Sequence, residues 1–271
     1  MHSPQPAEQG DYRERYVAFL DLLGFKALVQ RAESDMVERE RLLQILRLLR
    51  DTLCADPKLG LRFTHFSDCI VLSIDRSAAG LWEAFQSINL LTFNLLQFDC
   101  FIRGGLVVGG AYHSDQFVYG TAVNEAHLLE SECAEHPMTL VSQEVVDDAA
   151  GYGTSFLEWF SEDSPSRHFI HYLRQYAEYR PQPALPGMMI MDEPAKRIID
   201  FICHRLNTDT GRVLAKAQWF RAYWNRTVAV HGIFGSIESG VTKRYTSRGA
   251  TIGVRRIVGG GKETGDNRLK P

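Results

Sequence analysis

Apolar residues follow two different periods along the first half of the chain. The run over 16–21 predicts a strand, and the apolar residues that follow recur at helical spacing up to about Asp51. Residues 61–74 form two β-rich halves around Ser67 and Asp68, which predicts a hairpin with a tight polar turn. The first elements are therefore a strand, a helix and a hairpin with Asp68 at its tip.

A second helix and strand continue this pattern. Apolar residues at helical spacing predict an amphipathic helix over 81–95, and the glycine-rich segment 100–112 predicts a strand. The order β-α-β-β-α-β is that of the split βαβ, or ferredoxin-like, arrangement, an antiparallel sheet with both helices on one face. The predicted fold class is therefore α+β. Further along, the pattern predicts a helix, a short strand and another helix, over 124–132, 139–141 and 142–149.

Composition divides the rest of the chain. Four prolines within residues 179–194 interrupt regular structure and mark a boundary. Beyond them, two segments with aromatic faces predict helices, and the glycine-rich end predicts disorder. The predicted division is a flexible N-terminal segment (1–14), a main domain (15–178), a proline-rich linker (179–194), a helical extension suited to a dimer contact (195–257) and a disordered tail (258–271).

Charge, apolar run length and cysteine content restrict the partners. The net charge of −3 supplies no overall positive field, so we expect no nucleic-acid partner. Polar side chains interrupt the apolar stretches before the roughly 18 residues that a membrane span needs, and residues 1–10 are polar, so we expect a cytoplasmic protein without a membrane segment. The five cysteines show no CxxC spacing, which argues against a zinc site or a disulfide framework.

Two aspartates stand at positions that the predicted topology brings together. In a split βαβ sheet the end of the first strand lies beside the tip of the central hairpin, so Asp21 and Asp68 should face one spot. Like charges this close need a cation, and carboxylate oxygens suit Mg²⁺ or Mn²⁺. Two such ions would fit phosphoryl chemistry. The alternative is that Asp21 caps the following helix and that Asp68 is a turn residue.

Three ordered motifs resemble those of the class III nucleotidyl cyclases. They are FLDLLGF at 19–25, FSDCIVL at 66–72 and YGTAVNEAHLLE at 119–130. The resemblance covers about residues 16–141, roughly half the chain. It implies that residues 15–178 are a cyclase catalytic domain.

The resemblance also implies roles for particular residues. Asp21 and Asp68 would hold two divalent cations, Mn²⁺ or Mg²⁺, and the backbone carbonyl of Leu22 would add a ligand. Asn124 would orient the ribose. The turn at the start of the first helix would receive the triphosphate through outward-facing N–H groups. That turn consists of Leu23, Gly24 and Phe25. Members of this family work as head-to-tail homodimers, so the substrate sites would lie at the interface, with Asn124 reaching the aspartates of the other chain.

Two threonines replace the residues that read the base in the adenylate-forming relatives. Thr64 stands four residues before Asp68, where those relatives have a lysine, and Thr121 stands three before Asn124, where they have an aspartate. Neither the adenine nor the guanine pattern is present. With the RGG strand and the aromatic-rich extension, the chain resembles the pyrimidine cyclases of bacterial antiphage signalling, which make cyclic UMP or cyclic CMP. This implies a uridylate cyclase that acts on UTP, with CTP as the alternative.

The residue that would stabilise the transition state is a second departure. Leu128 stands where the family has an arginine, four residues after Asn124. Arg103 is the candidate replacement, because a guanidinium suits phosphate, and its alternative role is a structural salt bridge. Lys26 is a further candidate for phosphate contact. Two alternative functions stay open, a catalytically silent nucleotide-binding module and a purine cyclase with an unfamiliar base pocket.

Overall fold

The computed structural model describes residues 12–52, 59–174, 176, 192–229, 236–237, 241–245 and 251–256. The chain divides into two compact units, Met1–Arg180 and Pro181–Pro271. The predicted tail and most of the predicted linker lie outside the described residues. Arg13 and Glu14, at the end of the predicted flexible segment, belong to the first strand.

The N-terminal unit is built on one mixed sheet. Its strands are β1 (Arg13–Leu23), β2 (Arg62–Phe66), β3 (Cys69–Asp75), β4 (Phe101–His113), β5 (Val118–Tyr119), β6 (Thr139–Val141), β7 (Phe160–Ser164) and β8 (Arg167–Ile170). Its helices are α1 (Phe25–Ser34), α2 (Met36–Thr52), α3 (Ala78–Leu96), α4 (Thr121–Leu128), α5 (Gln143–Tyr152) and α6 (Thr154–Leu157). A π-helical turn, Leu129–Cys133, continues α4.

The strand order confirms the predicted split βαβ arrangement. The strands lie in the order β2-β3-β1-β4-β6-β8-β7, and β5 pairs with β4 outside this path. The four strands of the predicted core, β2, β3, β1 and β4, are antiparallel to their neighbours. Strand β6 then pairs with β4 in parallel and extends the sheet towards the hairpin formed by β7 and β8.

Alternation along β1 assigns its side chains to two different cores. Tyr16 and Leu20 are buried in a large cluster with residues of α1, α2, α3 and α5, so the helices of the split βαβ core share one face, as predicted. Val17 points to the opposite face, where it packs with Ala122 and Ala126 of α4. Strand β1 is therefore covered on both faces and supplies a rigid platform.

Local capping divides the predicted first helix into two. The Asp35 carboxylate accepts hydrogen bonds from the backbone N–H groups of Val37 (2.8 Å) and Glu38 (3.3 Å), so Asp35 caps α2 while it ends α1. The apolar spacing alone shows one continuous period and conceals this break. Strands β5, β7 and β8 are also absent from the prediction.

The C-terminal unit contains two helices and a two-stranded sheet. Helix α7 spans Asp192–Thr208 and helix α8 spans Gly211–Ala229, as expected for a helical extension. Strands β9 (Val241–Tyr245) and β10 (Thr251–Arg256) form an antiparallel pair within the segment 195–257, which the sequence analysis describes as a helical extension. Phe220, Tyr223 and Trp224 are buried, so these three side chains do not form an exposed aromatic face. Among the described helices, none combines the length and the apolarity that a membrane span requires.

Candidate active site

Asp21 and Asp68 are brought together by the pairing of β1 with β3. Asp21 lies opposite Cys69 in this pairing, and Asp68 precedes Cys69 in the two-residue turn between β2 and β3. Ser67, the first turn residue, has φ 57°, in the left-handed region that such tight turns use. The Leu22 N–H donates to the Asp68 carbonyl at 2.9 Å, which fastens the hairpin tip to the end of β1.

The donor atoms at this point fit a hard divalent cation. One carboxylate oxygen each of Asp21 and Asp68 and the Cys69 sulfur all lie within 4.8 Å of one another, and all three residues are half-buried. Burial, together with the negative charges of Asp68 and Asp21, raises the pKa of the Cys69 thiol to about 11. The two carboxylates are hard oxygen ligands, which suit Mg²⁺ or Mn²⁺ better than zinc.

The helix-cap alternative for Asp21 is wrong. The N-cap residue of α1 is Gly24, with φ 84°, and no side chain caps this helix. Asp21 instead belongs to β1 and has Arg103 as its charged neighbour.

Arg103 is held between two carboxylates. Its Nη2 lies 3.4 Å from the Asp21 carboxylate and 2.5 Å from that of Glu130, and its Nη1 donates to the Ala134 carbonyl at 3.3 Å. Glu130 is only 3% exposed. Burial raises the pKa of Glu130, and the positive charge of Arg103 opposes this shift. Arg103 thus orients Asp21 and compensates a buried charge, and its contact with phosphate stays a prediction.

Sequence reasoning missed Glu130 as part of this site. It is the last residue of the third motif, and the π-helical turn after α4 carries it towards the sheet. No sequence signal distinguishes Glu130, because it is one of four acidic residues over 125–135.

The turn predicted to receive the triphosphate lies directly after β1. Leu23 ends the strand and is half-buried, whereas Phe25 is buried in the core as the first residue of α1. Gly24 has no other atom within 4 Å of the position where a Cβ would stand. The first turn of α1 carries no acidic residue, and Lys26 is exposed there. Its N–H groups therefore suit an anion, and the role in phosphate binding stays a prediction.

Helix α4 presents the remaining predicted residues on one exposed stripe. Ala122 and Ala126 face the sheet, whereas Thr121, Asn124 and Leu128 are exposed. The Thr121 hydroxyl donates to the Gly110 carbonyl at 3.4 Å. Within the described part of the chain, no hydrogen bond joins the Asn124 side chain to Asp21 or Asp68. The structure therefore does not unite Asn124 with the aspartates inside one chain.

Thr64 belongs to a chain of polar groups that the sequence analysis missed. Its Oγ1 lies 2.9 Å from Nε2 of His113, and Nδ1 of His113 lies 2.8 Å from the Ser73 hydroxyl. Arg15 donates to the Ser73 hydroxyl at 3.2 Å and to the Gly60 carbonyl at 2.8 Å. Thr64 is thus oriented by the interior of the domain.

The buried imidazole makes folding stability sensitive to acid. Burial lowers the pKa of His113 to about 4; the positive charges of Arg15 and Arg62 act in the same direction, and Asp115 opposes them. A histidine in an unfolded chain has a pKa of about 6.5. The unfolded chain therefore binds this proton first, and the stability contributed by neutral His113 decreases as the pH falls from about 6.5 to about 4.

We expect His113→Asn to remove this part of the acid sensitivity. Between pH 6.5 and pH 4 the wild-type chain should lose roughly 3 kcal/mol of unfolding free energy through His113, beyond the loss that the variant shows. Urea denaturation at the two pH values measures the difference. His204→Asn, which changes an exposed histidine, should behave like wild type. Equal losses in wild type and His113→Asn would contradict the prediction.

Comparison with known proteins yields structural similarity at low sequence identity. No family model and no curated protein matches the chain. The monomeric guanylyl cyclase domain of the RhoGC fusion protein from the aquatic fungus Blastocladiella emersonii is 13% identical, with a TM-score of 0.43, over 59% of this chain and 95% of its own. The guanylyl cyclase Cya2 is 14% identical, with a TM-score of 0.42, over 59% of this chain and 92% of its own.

A third solved structure has a similar sequence identity, TM-score and coverage. The adenylate/guanylate cyclase/hydrolase from Silicibacter pomeroyi is 17% identical, with a TM-score of 0.40, over 59% of this chain and 95% of its own.

Proposed function

We propose that this protein is a nucleotidyl cyclase that converts a pyrimidine nucleoside triphosphate, UTP in preference to CTP, to its 3′,5′-cyclic monophosphate and pyrophosphate. The observation that carries the proposal is the convergence of the Asp21 and Asp68 carboxylates at the end of β1 and the tip of the β2–β3 hairpin. Two of the three sequence motifs that resemble those of class III cyclases have their metal-binding aspartates at these two positions.

Each residue of the site has a defined task in the proposed reaction. Asp21 and Asp68 would hold two Mg²⁺ or Mn²⁺ ions, with the Leu22 carbonyl as a further ligand. When bound, the ions would lower the pKa of the ribose 3′-hydroxyl and offset the negative charge of the phosphates. The N–H groups of the turn at Gly24 bind the triphosphate. Arg103 is a positioning residue, because it fixes the carboxylate of Asp21.

The reaction is an internal displacement at the α-phosphorus. The 3′-oxygen of the ribose forms a bond to this phosphorus, and its proton passes to solvent. The bond from the α-phosphorus to the oxygen that bridges to the β-phosphorus breaks, and pyrophosphate leaves with that electron pair. The products are therefore one cyclic nucleotide and one pyrophosphate for each triphosphate.

A second copy of the chain completes the site in this proposal. Asn124 is exposed on α4 and forms no hydrogen bond with Asp21 or Asp68 of its own chain, so we propose that it orients the ribose in the site of a partner subunit. A symmetric homodimer would then carry two equivalent sites at its interface. Thr64 and Thr121 would contact the base. The resemblance to pyrimidine cyclases of antiphage signalling extends the proposal to a second messenger made during phage infection.

The exposed Leu128 favours a second candidate, a nucleotide-binding module with little or no turnover. Leu128 is 49% exposed and stands one helical turn after Asn124, where the cyclase motif has its arginine. A leucine cannot offset the charge that develops on the α-phosphate.

We expect Leu128→Arg to raise kcat about ten-fold or more, because the new guanidinium would reach the developing charge beside Asn124. Initial rates of cyclic-nucleotide formation measure the effect. Val213→Arg is the matched control, since Val213 is a similarly exposed apolar residue of α8, at 44%. An unchanged kcat in Leu128→Arg would place the α4 stripe away from the reacting phosphate.

Product identification tests the proposal. Purified protein is incubated with Mn²⁺ and, separately, with UTP, CTP, GTP and ATP, and the products are identified by mass. We expect cyclic UMP as the main product. A cyclic purine nucleotide as the main product would refute the pyrimidine assignment, and nucleotide binding without any cyclic product would favour the silent module.

A further inference from the structure

A chain of hydrogen bonds connects the interior of the N-terminal unit to Thr64. It runs from Arg15 (3% exposed) through Ser73 (0%) and His113 (5%) to the hydroxyl of Thr64, which is half-buried. The last strand residue of β4, His113, thus links β3 to β2 across the sheet. Such a chain has a direction, because each hydroxyl or neutral imidazole accepts a hydrogen bond from the group on one side and donates a hydrogen bond to the group on the other.

The direction follows from the first member. Arg15 only donates, so the Ser73 oxygen accepts from it. Ser73 is fully buried, and its own proton needs an acceptor. Among the described residues, the acceptor within hydrogen-bond distance of the Ser73 hydroxyl is Nδ1 of His113, at 2.8 Å. His113 is neutral near pH 7, since its pKa is about 4, so its one ring proton resides on Nε2 and is donated to Thr64 Oγ1.

This direction leaves the proton of the Thr64 hydroxyl available for a ligand. In the described part of the chain, no acceptor other than His113 lies within hydrogen-bond distance of Thr64 Oγ1, and the His113 nitrogen already donates. A carbonyl oxygen of a bound base would accept a hydrogen bond from this hydroxyl. An amino group would leave the hydroxyl donor without an acceptor, which costs binding free energy. Uracil presents a carbonyl where cytosine presents an amino group.

Thr64 lies where a base can reach it. In the strand pairing, Thr64, Val71 and Phe19 form one row across the sheet, and Asp21 lies in the next row on the same face. The usual strand spacing and rise place Thr64 roughly 12 Å from Asp21. Helix α4 packs on β1 and β4, and the β2 edge of this face is open, as the 81% exposure of Phe66 indicates.

We infer that Ser73 and His113 are positioning residues that make the Thr64 hydroxyl a hydrogen-bond donor to a base carbonyl, so that the site selects uracil over cytosine. This inference rests on the proposed cyclase function, which it deepens by naming the groups that determine the base.

The proton position is tested without turnover. In protein labelled with nitrogen-15 histidine, the ring nitrogen shifts distinguish the two neutral tautomers, and the His113 signals are assigned by their loss in His113→Asn. We expect the Nε2-protonated tautomer in wild type. In Ser73→Ala, which removes the donor to Nδ1, we expect a shift towards the other tautomer. An Nδ1-protonated His113 in wild type would overturn the inference whether or not the protein is a cyclase.

The base preference is tested by comparing kcat/KM for UTP and CTP. We expect kcat/KM of the wild type to be about ten-fold or more higher for UTP than for CTP. In Thr64→Val the two values should lie within about two-fold of each other, and in Ser73→Ala their ratio should be lower than in the wild type. Ser87→Ala, a buried serine of α3 packed on the other face of the sheet, should keep the wild-type ratio.

The outcomes separate the two proposals. Cyclic products with a UTP-to-CTP ratio that is unchanged in both Thr64→Val and Ser73→Ala would overturn the inference and leave the cyclase function standing. Absence of cyclic product from every nucleotide with wild-type protein would overturn the cyclase function, and the base selection with it. If Ser73→Ala fails to fold, Thr64→Val alone still tests the base selection, because the Thr64 hydroxyl is the group that would contact the base.

Discussion

Replacing Asp21 by asparagine should lower kcat/KM for cyclic-nucleotide formation by at least about 10³-fold. The amide keeps the shape of the carboxylate but removes the negative charge that holds the cations, and a bound ion supplies several kcal/mol of transition-state stabilisation. Asp68→Asn should have an effect of the same size, since one oxygen from each residue contributes to the same cluster. Initial rates with Mn²⁺ and UTP measure both variants.

Two further measurements assign such a loss to the metal site. Asp147→Asn changes an aspartate on α5, away from the site, and should keep wild-type activity. Titration with Mn²⁺ should show weaker binding in Asp21→Asn and Asp68→Asn, with unchanged urea denaturation of Asp68→Asn. Activity within about ten-fold of wild type in either variant would contradict the assignment of these carboxylates as ligands.

Arg103→Met should lower the free energy of unfolding by about 3–5 kcal/mol. Methionine retains much of the apolar volume but leaves the carboxylate of Glu130, only 3% exposed, without its cation. The double variant Arg103→Met with Glu130→Gln should recover a large part of this loss, because the amide is uncharged. Urea denaturation at neutral pH measures the unfolding free energies of the two single variants and the double variant.

An exposed arginine provides the matched comparison. Arg47→Met removes the partner of Glu40 at the surface of α2, where both side chains are more than half exposed, so the loss should stay below about 1 kcal/mol. If Arg103→Met were as stable as Arg47→Met, Arg103 would not compensate a buried charge. Its alternative role as a group that contacts phosphate would then be favoured.

The sequence predicts the four core strands of the sheet, β1 to β4, because the information for them is local. The apolar run over 16–21 and the polar dipeptide at Ser67 and Asp68 indicate where the first strand forms and where the hairpin turns, and the split βαβ topology then brings Asp21 beside Asp68. The break at Asp35 is less predictable, since an aspartate in a helical period fits either a solvated face or a cap.

The remaining parts of the site depend on contacts between distant residues. His113 lies 40 residues from Ser73 and 49 from Thr64 in the sequence, and the path of β4 decides that they meet. Glu130 reaches Arg103 because a π-helical turn follows α4. Neither contact produces a periodic pattern, so the partners of Thr64 and Arg103 become visible only in the folded chain.

The most direct test of the proposed function is the stoichiometry of the reaction with UTP. Wild-type protein with Mg²⁺ or Mn²⁺ should release cyclic UMP, identified by liquid chromatography and mass spectrometry, and pyrophosphate, measured enzymatically, in equal amounts. Asp21→Asn should release neither product. Release of UMP or UDP in place of cyclic UMP would identify a hydrolase, and equal activity in Asp21→Asn would show that the paired aspartates are not the site of the chemistry.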